Sequence, residues 1–277
     1  MKINMKTLYV TDLDGTLLNS DVKISSRSLE IINSLVENGM HFTFATARSL
    51  VSAATVTQGL NLKLPVAVYN GTFIMDKETG EIIHSNFFSD EENSVIQAVI
   101  KRYSLNPFVY SFVNGEEKVS YNKNYSNRGK REYIESRKND RRMTPLDNDK
   151  TLFDGKVFYY SIIGREKDLS DFFSEVKSLG DYRVTFQQDI YSEYFWCEIM
   201  PKNASKAKAV EKLKKLYSFD KIVAFGDALN DMPMFQIADR CYAVENAVNE
   251  LKDISTKEIL SNDNDGVALF LQQEFNK

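Results

Sequence analysis

Short apolar runs alternate with stretches whose apolar positions recur every three or four residues, and this alternation occurs at both ends of the chain. Residues 8–11, 41–45 and 66–69 read as buried strands. Between the first two, Leu29, Ile32, Leu35 and Val36 form the stripe of a helix. Ser25 or Ser26 can cap its start and Gly39 its end. Residues 50–60 read as a second helix. Short β runs separated by helices imply right-handed crossovers and a parallel sheet covered on both faces. The alternation returns late in the chain. Residues 195–200, 222–225 and 241–244 read as strands, and 204–216 and 267–275 as helices.

The middle of the chain follows another rhythm. Residues 72–76 and 81–86 flank Glu78-Thr79-Gly80 as a hairpin. Over 87–191 the strands become longer and more aromatic. They are expected at 108–113, 119–122, 156–163 and 182–188, with helices at 91–102, 125–137 and 166–179. Mixed hairpins and helices indicate an α+β unit. The expected architecture is therefore α/β, a doubly wound parallel-sheet (Rossmann-like) core built from 1–86 and 192–277. An inserted α+β domain occupies 87–191.

Composition narrows the partners. The chain has 277 residues, 43% hydrophobic and 27% charged, with a net charge of −4. A backbone-binding surface for nucleic acid needs a basic excess, so none is expected as a partner. Residues 1–6 are too short and polar for a signal peptide, and no apolar run approaches a membrane span. No membrane partner is expected, and the expected location is cytoplasmic. The expected state is a monomer or weak homo-oligomer. Cys197 and Cys241 lack metal-ligand spacing and read as small buried hydrophobes. His41 and His84 sit among strand-like residues, which leaves acid–base chemistry to carboxylates.

The candidate chemistry lies where core strands end, the edge at which open α/β sheets bind ligands. Asp12-Leu13-Asp14-Gly15-Thr16 follows the first strand. Its paired carboxylates suit metal binding and attack on phosphorus. Thr46, after the second strand, offers a hydroxyl and backbone N–H groups to an anion. Lys206 opens a helix, and Gly226-Asp227-Ala228-Leu229-Asn230-Asp231 follows a later strand. Each also has an ordinary reading. Asp-Gly turns are common, Thr46 and the two later aspartates can be caps, and Lys206 belongs to a lysine-rich helix.

Taken together, the order and identity of these residues resemble the haloacid dehalogenase superfamily of phosphohydrolases. The insert's position and size resemble the type IIB cap of its Cof-type branch. Val244 to Ala247 and Asp265 to Ala268 resemble that branch as well. The resemblance implies Asp12 as nucleophile and Asp14 as general acid, then base. It implies Thr46, Lys206, Asn230 and the backbone at Leu13 and Ala47 as phosphate-binding groups. Mg2+ would be held by Asp12, Asp227 and the Asp14 carbonyl, with Asp231 behind them. Ala47, Ala207 and Glu245 stand where the family usually has glycine.

The implied substrate is a small phosphorylated metabolite, most simply a sugar phosphate. A sugar phosphomutase and a non-catalytic phospho-ligand-binding regulator are the alternative functions. In the insert, Arg128, Lys130, Arg131, Arg137, Lys138, Arg141 and Arg142 read either as an anion-reading set or as a solvated face offset by Glu132, Glu135 and Asp140.

Overall fold

The computed structural model describes residues 5–180, 182–189 and 192–275. The chain divides into two compact units, Met1–Ser85 with Ala204–Lys277, and Asn86–Asn203. In chain order, the first unit opens with β1 (Thr7–Thr11), α1 (Ser26–Glu37), β2 (His41–Phe44), α2 (Leu50–Val56), β3 (Val66–Val68), β4 (Phe73–Met75) and β5 (Ile82–Ser85). The insert holds α3 (Asp90–Arg102), β6 (Phe108–Val113), β7 (Glu116–Asn122), α4 (Arg128–Ser136), β8 (Met143–Leu146), β9 (Lys156–Gly164), α5 (Glu166–Ser178), β10 (Tyr182–Gln188) and β11 (Phe195–Pro201). The first unit resumes with α6 (Lys206–Leu216), β12 (Lys221–Gly226), α7 (Met232–Ile237), β13 (Arg240–Val244), α8 (Asn249–Asp253), β14 (Lys257–Ile259) and α9 (Gly266–Phe275).

The core sheet is parallel, in the order β14-β13-β12-β1-β2. A parallel bridge from Ala45 to Ala67 brings β3 to its edge, and β3, β4 and β5 form a small antiparallel sheet. Burial explains the strand sequences. In β12, five of six residues are buried, the run expected of a strand covered on both faces. In α1, Ile31, Ile32, Leu35 and Val36 are buried, and the Ser25 side chain caps the Ser28 N–H. The doubly wound core expected from the sequence is thus present.

The insert sheet runs β10-β11-β9-β6-β7-β8 and is antiparallel except between β7 and β8. One face packs Val109, Ile162, Cys197 and Ile199 with the α3 and α5 residues Ile96, Val99, Leu169 and Phe172. Against the other lies α4, whose Tyr133 ring centroid is 4.6 Å from Phe108 and 5.1 Å from Trp196.

Three expectations differ from the structure. The strand expected at 195–200 is β11, and it pairs antiparallel with β9 and β10 in the insert. Its half-buried Trp196 and Glu198 alternate with buried Cys197 and Ile199, the pattern of a sheet packed more tightly on one face. The insert therefore extends to Asn203, whereas the expected boundary residue, 191, lies outside the described residues. The helix expected over 50–60 ends at Val56. Among the described residues, no helix is long and apolar enough to cross a membrane.

Candidate active site

The site is built where β1 and β12 end side by side. The Asp12 N–H donates to the Phe225 carbonyl at 3.0 Å, so the strand pairing itself fixes where Asp12 leaves the sheet. The chain then turns through Gly15, at φ +73°. A Cβ there would lie 2.4 Å from Asp227 Oδ2, so both the backbone angle and the neighbouring carboxylate require glycine. Thr16 Oγ1 donates to Asp227 Oδ1 at 2.7 Å, and Asn246 Nδ2 donates to the Gly15 carbonyl at 2.7 Å. These bonds fasten the turn from both sides.

Asp231 organises the opposite wall. Its Oδ2 accepts the N–H groups of Asp227 and Ala228 at 3.1 and 3.2 Å. Its Oδ1 accepts from Lys206 at 2.8 Å, and the same ammonium lies 2.8 Å from Asp12 Oδ1. Lys206 is 1% exposed, on the first residue of a helix capped by Ser205. Gly71, at φ +85°, lets a turn pack onto that helix start. A Cβ at Gly71 would sit 2.2 Å from the Ser205 carbonyl. The same turn is tied to Thr46, because the Asn70 N–H donates to the Thr46 carbonyl at 2.9 Å.

Asp12, Asp227 and Asp231 each present an oxygen within 4.8 Å of the others. Burial, then the Asp231 charge, pushes the Asp12 carboxyl up to about 8 against the opposing pull of Lys206. Burial pushes Asp227 up to about 6. Burial works against the Lys206 charge, but Asp12 and Asp231 outweigh it and hold the ammonium above its usual value. Two buried carboxylates, Asp12 and Asp231, thus share one ammonium, and the partly buried Asp227 lies beside them. Their hard oxygens suit Mg2+, and a divalent cation would balance the buried charge. The residues present fit such an ion.

The remaining expected residues divide. Asp14 is half-exposed and stands apart from the three clustered carboxylates. Its two oxygens take Arg48 Nε at 2.8 Å and Nη2 at 2.6 Å, while Arg48 Nη1 donates to Ser52 Oγ at 2.9 Å. Thr46 is fully buried, but its N–H is committed to the Ala67 carbonyl and α2 begins only after the Ser49 cap. The expected helix-start anion site at Thr46 therefore reduces to its hydroxyl, which accepts the Arg48 N–H and keeps its own hydrogen to donate. The Leu13 N–H is turned onto Asp12 Oδ1 at 2.7 Å. Ala47 is exposed, and none of Ala47, Ala207 and Glu245 has a positive φ, so the missing glycines leave no backbone strain. The Asn230 Oδ1 is buried with no hydrogen-bond partner among the described residues.

Sequence reasoning gave no part to Arg48, Thr16 or Asn246. Thr16 lay within the first motif and Asn246 within the tail segment, so both were visible. Arg48 carried no spacing signal toward Asp14.

The sequence matches the haloacid dehalogenase-like hydrolase family over residues 9–271. It is 28% identical over 290 residues to the 5-amino-6-(5-phospho-D-ribitylamino)uracil phosphatase YwtE of Bacillus subtilis, covering 97% of this chain and 98% of that one. It is 28% identical over 254 residues to the phosphoglycolate phosphatase of Thermoplasma acidophilum, covering 91% and 90% of the two chains. Among solved structures, TM0651 from Thermotoga maritima aligns with a TM-score of 0.77 at 25% identity, covering 97% of both chains. This chain belongs to the haloacid dehalogenase-like hydrolase family.

Proposed function

We propose that the protein is a Mg2+-dependent phosphatase of small phosphorylated metabolites, sugar phosphates first among them. The carrying observation is the cluster of Asp12, Asp227 and Asp231, whose oxygens lie within 4.8 Å of one another, with the buried Lys206 ammonium bridging Asp12 and Asp231. The related phosphatases named above act on a phosphorylated ribityl compound and on phosphoglycolate, both small phosphate esters.

In this reading an Asp12 oxygen attacks phosphorus, and the bond from phosphorus to the ester oxygen breaks. Asp14 protonates the departing oxygen. It then takes a proton from the water that attacks the aspartyl-phosphate, which releases inorganic phosphate and restores Asp12. Lys206 and the Thr46 hydroxyl hold the phosphoryl oxygens, and the Asn230 side chain offers a further polar contact. Asp12, Asp227 and the Asp14 carbonyl would hold Mg2+, with Asp231 fixing Lys206 and the Asp227 backbone. The ion would screen the Asp12 charge from the anionic substrate.

A panel of phosphate esters assayed for phosphate release with and without Mg2+ tests the reading. Turnover of sugar phosphates that needs Mg2+ and falls at least about 1,000-fold in Asp12→Asn is expected. Substantial turnover in that variant would refute the covalent route.

A further inference from the structure

The insert carries a concave site that the proposed hydrolysis does not use. Arg128, Arg131, Arg165 and Lys167 line one cavity of about 380 Å3, together with Asp168 and Tyr194. A volume of that order accommodates a small metabolite. The four cations come from two helix starts far apart in sequence, those of α4 and α5. Their convergence on one concavity favours, for Arg128 and Arg131, the anion-reading interpretation of the basic run around α4.

The charge of the lining is unbalanced. One carboxylate, Asp168, faces four cations. Arg128 is paired with Glu132 at 2.7 Å, but both side chains are more than half exposed, and such pairs hold weakly. Arg165 meets Glu193 only at 3.6 Å, again with both exposed. Arg131 reaches only Ser126, at 3.4 and 3.5 Å. Among the described residues, neither Arg131 nor Lys167 has a carboxylate partner. Arg165 gives α5 no side-chain cap, and the open first-turn N–H groups are offset in part by Glu166 and Asp168. Tyr194 is 8% exposed and supplies a fixed, partly apolar wall.

We infer that this cavity binds a small phosphate ester, with the phosphoryl group among Arg131, Arg165 and Lys167 and the carbon skeleton against Tyr194. Arginine forks match phosphoryl oxygens in pairs, and the Tyr194 wall distinguishes an ester from the free anion. The site lies wholly within the insert and holds whether or not Asp12 is a nucleophile.

The chain has a single tryptophan, Trp196, and it lines a neighbouring cavity that also includes Tyr194. Its fluorescence is therefore a local reporter. The full-length Asp12→Asn protein, kept in EDTA, is titrated with inorganic phosphate, with ribose 5-phosphate, and with potassium chloride at matched ionic strength. Titration calorimetry on the same samples covers a silent indole. Saturable binding of ribose 5-phosphate, tighter than that of inorganic phosphate, is expected. Arg131→Ala and Arg165→Ala should each weaken it about tenfold or more, the loss of a charge-assisted contact. Arg128→Ala, already paired, should weaken it less. Affinity that ignores the Arg131 and Arg165 substitutions, a response matched by chloride, or no binding by either method would overturn the proposal.

Discussion

Two lysines are buried among the described residues, one in each unit, and their surroundings are opposite. Lys206, in the core, lies 2.8 Å from carboxylate oxygens of both Asp12 and Asp231, and its pKa is raised. Lys130, in the insert, is 2% exposed and donates to the Asn122 carbonyl at 3.3 Å, over the rings of Phe108 and Tyr121. Burial pushes its pKa down to about 8, with the Asp149 charge opposing. Burial is shared, so the difference lies in the partners. A charged group surrounded by opposite charges is held ready for an anionic ligand. A charged group among rings and a carbonyl is held mainly by packing.

The largest expected consequence falls on Lys206. Lys206→Met leaves Asp12 and Asp231 as buried carboxylates without their ammonium. Removing one partner of a buried pair costs about 3–5 kcal/mol. Phosphate release should fall at least about 1,000-fold on protein shown by circular dichroism to be folded. A variant that kept a tenth of the activity would remove Lys206 from the phosphoryl-holding role.

Next comes the metal-free core, because Asp12 and Asp227 are raised to about 8 and about 6. Between pH 4 and these values the folded protein holds protons that the unfolded chain has released. Stability therefore falls as pH rises through that window. In EDTA the melting temperature should drop between pH 5 and pH 8, by about 3 °C or more. Mg2+ should raise it more at pH 8 than at pH 5, since the ion needs the ionised carboxylates. A melting temperature that rose with pH in EDTA would contradict the stated balance of burial and charge.

Arg48 carries an intermediate effect and shows where sequence reading stops. Its guanidinium holds both oxygens of Asp14 and is steadied by Ser52. If Asp14 transfers the proton as proposed, Arg48→Ala should lower kcat by about 10- to 100-fold with a smaller change in KM, because the carboxylate loses its position. An unchanged kcat would show that Asp14 is positioned without it. The contact was not legible in the sequence because it joins residues 34 positions apart. Contiguous motifs were legible, since a strand end followed by Asp-Leu-Asp-Gly-Thr presents its chemistry locally. Phe195–Pro201 shows the same limit in the fold. A strand's composition marks it as a strand, but its sheet is decided by its pairing, here with the preceding β10 and with β9 about 30 residues or more away. The three-residue β14 and five-residue α8 are too short to show a period.

The smallest effect belongs to Lys130, and its direction is specific. A lysine lowered to about 8 in the fold and near 10.4 when unfolded makes the unfolded chain bind more protons between those values. Stability therefore rises with pH across that range, while the cost of burying the charge persists at pH 7. Lys130→Met keeps the apolar stem against Phe108 and Tyr121 and removes the charge. Its stability at pH 7 should lie within about 1.5 kcal/mol of the parent or above it. The parent should gain on the variant as pH rises from 8 to 10. Phosphatase activity should stay within about threefold, since no part of the proposed chemistry passes through Lys130. If denaturant unfolding instead showed a loss of about 3 kcal/mol at pH 7 with no pH dependence, the Lys130 ammonium would be a stabilising partner. The contrast with Lys206 would then rest on something other than the charges around each lysine.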